Sequence, residues 1–152
     1  MPQGVYYEPA DGGFTIMFWV NFTVLPQDAS IIKLERSQFS DSFNLNVVGT
    51  KLQAFFFHNF QLKSLASNKD MELNKWTHCA FSIKNDVASI FIDGVKDNEA
   101  QGFGKFYSGQ EKLKNFIGYR GILKAELDEL KIFNRGLEGP EILEETKSYV
   151  CA

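Results

Sequence analysis

Two polar turns set inside one apolar run limit what this chain can fold into. From Trp76 to Ala100 the sequence reads WTHCAFSIKNDVASIFIDGVKDNEA. Thr77, Cys79, Phe81 and Ile83 alternate with His78, Ala80, Ser82 and Lys84, which is the two-residue period of a β-strand. Asn85-Asp86 then supplies short polar side chains that tolerate positive φ, the requirement of a tight hairpin turn. Val87 to Ile92 makes a second strand, and Asp93-Gly94 turns it into a third that starts at Val95. Asp-Gly between alternating apolar runs is among the strongest short-range hairpin signals. The stretch is a β-meander.

The rest of the chain agrees with a β fold. Fifteen of the 152 residues are phenylalanine, and aromatic side chains suit a half-buried pleated surface. A chain of this length hides roughly 68–70% of its unfolded surface, so it fills one domain with a real core. The net charge is −3, and Lys and Arg are scattered rather than gathered into a stripe that could track phosphates. That excludes nucleic acid as a partner. No apolar run reaches the roughly 20 residues of a membrane-spanning helix, so membrane insertion is not expected. The N-terminus lacks the charged-then-apolar layout of a signal peptide. Met1-Pro2 opens either a cytosolic protein or a domain cut from a longer one, and the abrupt end at Tyr149-Val150-Cys151-Ala152 favours the second.

Before the meander, Val5 to Tyr7 reads as a short edge strand and Asp11-Gly12-Gly13 as a turn. FTIMFWVNF follows, with Phe14, Ile16, Phe18, Val20 and Phe22 on one side and Thr15, Met17, Trp19 and Asn21 on the other. Both sides are largely apolar, so this strand is expected to be covered on both faces. Pro26 ends it. Ser30 to Glu35 is the next strand, and Arg36 to Ser42 a polar loop. Phe43 to Val48 and Lys51 to Phe57 form a hairpin around Gly49-Thr50. Phe43, Leu45 and Val47 should face inward, Asn44 and Asn46 outward, and Phe55 and Phe57 should share one face of the partner strand. His58-Asn59 turns into a weaker strand from Phe60 to Ala66, and Ser67 to Lys75 reads as a charged loop. Gln101 to Lys114 looks like a long surface loop, and Phe116 to Tyr119 and Ala125 to Phe133 are the last strands. Pro140 suits the first turn of a short helix, with Glu141, Glu144 and Glu145 in its N-terminal half. About eleven strands and one helix predict a sandwich.

Three blocks carry a family resemblance: FTIMFWVNF, NKWTHCAFSIKNDVASIFIDGVKD and KAELDELKIFNRGLEGPEI. In order and spacing they resemble laminin-G-like domains of the concanavalin A-like branch that also holds pentraxins. The resemblance implies an all-β, two-sheet antiparallel jelly-roll sandwich with one short C-terminal helix, spanning residues 1–152 as a single domain. It makes Trp19 and Trp76 core or sheet-corner residues, and it favours an extracellular or cell-surface home within a larger protein. The two cysteines leave an intracellular home open. Cys79 reads as a buried small hydrophobe and Cys151 as a free terminal thiol, and spacing alone also leaves a disulfide between them open.

Four constellations are candidates for chemistry. Glu126 and Asp128 share one side of a strand, as a glycosidase pair would. The glucanases of this architecture, however, place a second catalytic carboxylate two or three residues beyond Asp128, where Leu130 and Lys131 stand here. Asp128 and Glu129 therefore read as structural, bonding a turn backbone or pairing with Arg135, and no catalytic residue is assigned. For calcium, Asp41 stands where the resembling pentraxins carry a ligand. The loop from Tyr119 to Lys124, which would supply the others, has two positive charges and no carboxylate, so no cofactor is expected and Asp41 is the one metal ligand to test. Phe55 and Phe57 on an outer strand face, ending at His58-Asn59, could floor a shallow groove, with Tyr119 and Arg120 on a neighbouring rim loop. His78 should cap or hydrogen-bond within its sheet. Finally, Asn21-Phe22-Thr23 forms a glycosylation triplet that lies partly in a strand. Together these predict a non-catalytic module that binds a glycan or a protein through rim loops, beside neighbouring domains of its own chain.

Overall fold

The computed structural model describes residues 13–36, 42–58, 61–103, 113–117, 122–133 and 135–147. Over these residues ten strands and one helix follow in order: β1 Phe14–Phe22, β2 Gln27–Arg36, β3 Ser42–Gly49, β4 Lys51–His58, β5 Gln61–Asp70, β6 Trp76–Lys84, β7 Val87–Ile92, β8 Val95–Gln101, β9 Leu113–Ile117, β10 Ala125–Phe133 and α1 Gly139–Lys147. They form two five-stranded antiparallel sheets. The first has the order β10-β1-β6-β7-β8 and the second β5-β4-β3-β2-β9. This is the expected sandwich.

The meander is β6-β7-β8. Asn85 and Asp86 both have positive φ (49° and 74°), as do Asp93 and Gly94 (51° and 81°). Two consecutive residues of that sign make the turn whose twist matches right-twisted strands. The hairpin of β3 and β4 also lies where expected, with Val48 opposite Lys51.

Some boundaries differ from expectation. β2 starts at Gln27 rather than Ser30, because the Gln27 amide ties the chain down: Nε2 donates to the Val24 and Lys124 carbonyls and Oε1 accepts from Lys124 N. β5 runs on to Asp70, so the charged loop expected from Ser67 is shorter. The Ser67 hydroxyl accepts from Leu52 N and donates to the Lys69 carbonyl, which keeps this edge in place. β8 includes Gln101 and β9 begins at Leu113, shortening the expected loop between them from both sides. The strand at Val5 to Tyr7 lies outside the described residues.

The core fills the space between the sheets. Phe14, Ile16, Phe18, Val20 and Phe22 of β1 are buried, opposed by Phe43, Leu45 and Val47 of β3 and Leu52, Ala54 and Phe56 of β4. Phe14 meets Phe43 edge-on at 5.1 Å between ring centroids, and Phe43 lies 4.6 Å from Phe81. Side chains of the edge strands also join the sheets. Asn98 Nδ2 donates to the Ala66 carbonyl and Asn68 Nδ2 to the Asp97 carbonyl.

The other side of β1 is covered too, as its apolar residues require. Met17, Ala80 and Phe91 form a second buried cluster with Leu137 and Ile142, and Phe133 packs against it. Thr15 positions the covering segment. Its hydroxyl donates to the Arg135 carbonyl at 2.9 Å and accepts from Leu137 N at 2.8 Å, while Ser82 Oγ donates to the Leu137 carbonyl. The backbone can come this close because residue 136 is glycine. A Cβ there would stand 2.6 Å from the Ile83 carbonyl oxygen and 2.5 Å from Lys84 Cβ. Pro140 occupies the first turn of α1, where its missing N–H costs nothing. Gly136→Ala should therefore overpack this contact by about 1–3 kcal/mol and lower the melting temperature by about 5 °C. Gly139→Ala, whose nearest contact would be an ordinary 3.7 Å, should leave it within about 2 °C. Circular-dichroism melts of both variants check this.

Candidate functional site

Because the outer face of the first sheet lies under the segment from Arg135 to Lys147, the outer face of the second sheet is the one to search. Cross-strand register sets its rows. Ser30 pairs with Asn46, Asn46 with Gln53, and Gln53 with Ala66. In the next row Lys33 pairs with Asn44, Asn44 with Phe55, and Phe55 with Ser64. Partners across an antiparallel ladder point to the same face, so these side chains lie opposite Phe43, Leu45 and Val47, which turn into the core.

A pocket of about 320 Å³ opens where the two rows meet β2 and β3. Asp28, Ser30, Asn46, Val48 and Phe55 give it side chains. Ala29 and Val47, whose own side chains face the core, form its floor. Asp28 Oδ1 accepts a hydrogen bond from Gly49 N at 3.2 Å, which holds the carboxylate at the mouth. Ser30 is 1% exposed. Its Oγ, and Asn46 Oδ1, are buried without a hydrogen-bond partner among the described residues. A buried polar atom left unpaired costs about 1–3 kcal/mol, so two in one pocket are a substantial fraction of a domain's net stability. The β2 register shift between Ser30 and Ile32 creates this arrangement. With one extra residue at the bulge, Ile31 and Ile32 are both buried while Ser30 keeps its place on the outer face.

Of the residues expected at the site, Phe55 and Phe57 are on this face and half-buried, and Phe55 lines the pocket. His58 ends β4, its backbone opposite Gln61. Its side chain lies outside the described residues, as do Asn59, Tyr119, Arg120 and Asp41. Asp28 and Ser30 were missed by sequence reasoning. Asn46 was read as outward-facing, which is correct, but nothing in the sequence marks the bulge that sets Ser30 beside it.

The carboxylate row lies elsewhere. Glu126, Asp128 and Glu129 are exposed on β10, an edge strand of the first sheet. Ala125, Leu127, Leu130 and Ile132 of that strand pack on the core. Glu126 and Asp128 therefore project to the opposite side of the sandwich from the pocket. Asp128 Oδ1 accepts from Glu129 N at 2.8 Å, at a position where Glu129 has φ of 50°. The role is structural, but the backbone it bonds belongs to the irregularity in β10 opposite Met17 and Trp19 rather than to a turn. Arg135 makes a two-pronged pair with Glu141, at 3.2 and 2.6 Å. No group of three or more His, Cys, Asp or Glu side chains that could hold a metal comes together among the described residues.

Both tryptophans sit differently from a core position. Trp76 begins β6 at the end of the sheet and is 39% exposed, so it is a sheet-corner residue and not part of the core. Trp19 is half-buried and meets the His78 ring edge-on at 5.1 Å. Asn21 of the glycosylation triplet is half-buried in β1, with its Oδ1 shielded and without a partner among the described residues. Cys79 is buried and free, and burial pushes its thiol well up from the ordinary value, with Asp93 adding to the effect.

His78 departs from the expected side-chain bond. Only its backbone bonds within the sheet, donating to Asp93 Oδ1 and accepting from Asp93 N. The ring is 2% exposed, and its Nδ1 has no partner among the described residues. Burial pulls its pKa down to about 4, and Lys131 pulls the same way, against Asp93 and Glu145, which favour the charged form. The unfolded chain thus binds a proton near pH 6.5 that the folded chain refuses until about pH 4, so stability falls as pH drops through that window. Between pH 7 and pH 5 the loss from this group should be about 2 kcal/mol. Urea unfolding at the two pH values measures it, and His78→Gln should remove most of the difference.

The fold defines a class: a two-sheet β-sandwich with one sheet sealed by a helix and the other presenting a pocketed face. The chain belongs to the laminin G family described as the concanavalin A-like lectin/glucanases superfamily, whose model matches residues 6–143. Solved structures match the fold. The receptor binding domain of botulinum neurotoxin C/D mosaic serotype is 14% identical with a TM-score of 0.72, covering 90% of this chain and 36% of that one. The botulinum neurotoxin serotype G binding domain is 18% identical with a TM-score of 0.68, at the same coverages. The binding domain of Paraclostridial Mosquitocidal Protein 1 is 15% identical with a TM-score of 0.71, covering 90% and 37%. The chain thus spans little more than a third of these domains. No curated protein matches its sequence.

Proposed function

We propose that this chain is a non-catalytic recognition module that binds a glycan or a protein partner through the outer face of its second sheet. The observation that carries the reading is the Phe55 pocket on the face that α1 does not cover, lined by residues with two buried polar atoms that have no partner among the described residues. Concave sites that combine an apolar wall with a few convergent polar groups are the usual form of a ligand pocket. Membership of a family described by lectins and glucanases supports a sugar-binding surface, and the fold's likeness to toxin binding domains supports recognition as its use.

Hydrolysis is the weaker reading. Two-carboxylate hydrolysis needs a pair flanking one bond, and among the described residues Asp28 is the only carboxylate that lines the pocket. Glu126 and Asp128 lie across the sandwich from it. In this proposal the module works in an extracellular or cell-surface protein beside neighbouring domains, as the longer binding domains that share its fold suggest. A glycan array probed with the fluorescently labelled chain, in Ca²⁺ and again in chelator, tests the reading. Signal that Phe55→Ala removes supports it, and a signal lost in chelator brings the Asp41 loop in as a second element. Signal unchanged by Phe55→Ala overturns the assignment to this face.

A further inference from the structure

The helix α1 is held less firmly than the segment that leads into it. Ahead of it, buried hydrogen bonds from Thr15 and Ser82 fix the backbone at Leu137. Beyond Gly139 its apolar anchors are Ile142, which is fully buried, and Leu143, which is 39% exposed. Its ion pairs, Arg135 with Glu141 and Lys131 with Glu145, join side chains that are each at least 30% exposed, where such pairs stabilise little. A helix of nine residues does not hold together in water without its tertiary contacts. Under its last turns lies His78.

His78, Ala80 and Ser82 share the outer face of β6, and Ile142 packs in the cluster that contains Ala80. Leu143 and Thr146 close over Gly94, where a Cβ would stand 2.7 Å from Leu143 Cδ1 and 3.3 Å from Thr146 Cγ2. Asp93, next to Gly94, bonds the His78 backbone, and Glu145 of α1 accepts from Lys131 Nζ at 2.7 Å. The His78 ring is shut in among these groups with Trp19 edge-on to it, and its Nδ1 has no partner among the described residues. A neutral imidazole tolerates that enclosure. An imidazolium, with two N–H donors and a charge to solvate, does not. We infer that α1 is an acid-opened latch: protonation of His78 drives the helix off the sheet from Gly139 onward and uncovers Met17, Ala80 and Phe91, while the bonds of Thr15 and Ser82 to Leu137 stay closed.

The charged groups around the ring set the sign. Asp93 from the turn between β7 and β8 and Glu145 from α1 favour the imidazolium, and Lys131 from β10 opposes it. Asp128, also of β10, stands on the same row beyond Trp19. Burial outweighs the two favourable carboxylates while α1 is closed, and opening removes the burial but leaves Asp93 in place. A ring that charges near pH 6.5 when exposed and near pH 4 when enclosed makes the open form about twentyfold more populated at pH 5 than at pH 7. Asp and Glu stay largely ionised over that interval, so histidine is the group that titrates.

Hydrogen exchange of the full 152-residue chain tests this, read amide by amide at pH 7 and pH 5 over low urea concentrations and corrected for intrinsic rates. The α1 amides should exchange through an opening that barely responds to urea, because it exposes little surface, and that is about twentyfold more populated at pH 5. The β6 amides should keep the steep urea dependence of global unfolding. His78→Gln should abolish the pH dependence of the α1 opening. Should that variant fail to fold, NMR titration of the His78 ring in the unaltered chain decides, with His58→Gln assigning the other imidazole. Loss of α1 protection at the pH where the ring titrates supports the latch, and a ring that titrates under protected α1 amides overturns it. So do α1 amides that share the urea dependence of β6 at pH 5, since the helix then leaves only when the sheet unfolds. An opening no more populated at pH 5 than at pH 7, or one still pH-dependent in His78→Gln, overturns it as well.

Discussion

The architecture depends on one close approach of backbone to sheet. Thr15 and Ser82 stand side by side on the outer face of the first sheet and bond the chain at Arg135 and Leu137. Gly136 lets that chain lie against the Ile83 carbonyl. Once the segment is held there, Leu137 and Ile142 cover Met17, Ala80 and Phe91. Gly94 completes the fit, since it supplies the positive φ of the second turn, and any Cβ there would collide with Leu143 of α1 at 2.7 Å. A sheet with two apolar faces is stable in water only when both are covered. This contact is what makes the meander's double-sided composition workable.

The same contact decides where recognition can happen. A sandwich has two outer faces, and here one is committed to the C-terminal segment. The carboxylates of β10 belong to that committed side, where Asp128 bonds its neighbour's backbone and Lys131 pairs with Glu145 at 2.7 Å. The other side carries the pocket, with an aromatic wall and buried polar atoms that find no partner among the described residues. Structural carboxylates on one side and unfilled hydrogen-bonding capacity on the other are the physical basis for reading the molecule as a binder.

His78 shows how burial is distributed between the two sides. Its ring fills the space beside Trp19 as a neutral group, at the cost of an unpaired nitrogen and a depressed pKa. The protein thus carries unpartnered buried polar atoms on both faces. On the α1 side they lie under the C-terminal segment, whereas on the other side they lie in residues that line a pocket, Ser30 and Asn46.

Much of the fold was legible in the residues themselves. Alternation located the long strands such as β1, β4 and β6, because the β pleat repeats every two residues and shows directly in polarity, whereas the polar end of β5 and the start of β9 read as loops. Asn85-Asp86 and Asp93-Gly94 marked both turns of the meander, because few side chains tolerate positive φ, and Pro140 marked the helix start. Phe55 and Phe57 could be placed on an outer face for the same periodic reason. Periodicity stops at the bulge. The extra residue near Ile31 resets which side chains face out, and no local signal announces it, so Ser30 and its meeting with Asn46 could not be foreseen. Nor could the exposure of Trp76, which depends on where the sheet ends rather than on what its strand contains. The sequence by itself determined the strands, the turns and the two-layered family fold, since these rest on interactions between near neighbours in the chain. Only the tertiary structure decided which face stays open and which polar atoms are left without partners, because both depend on contacts between residues far apart in sequence, such as Thr15 with Leu137 and Asp28 with Gly49.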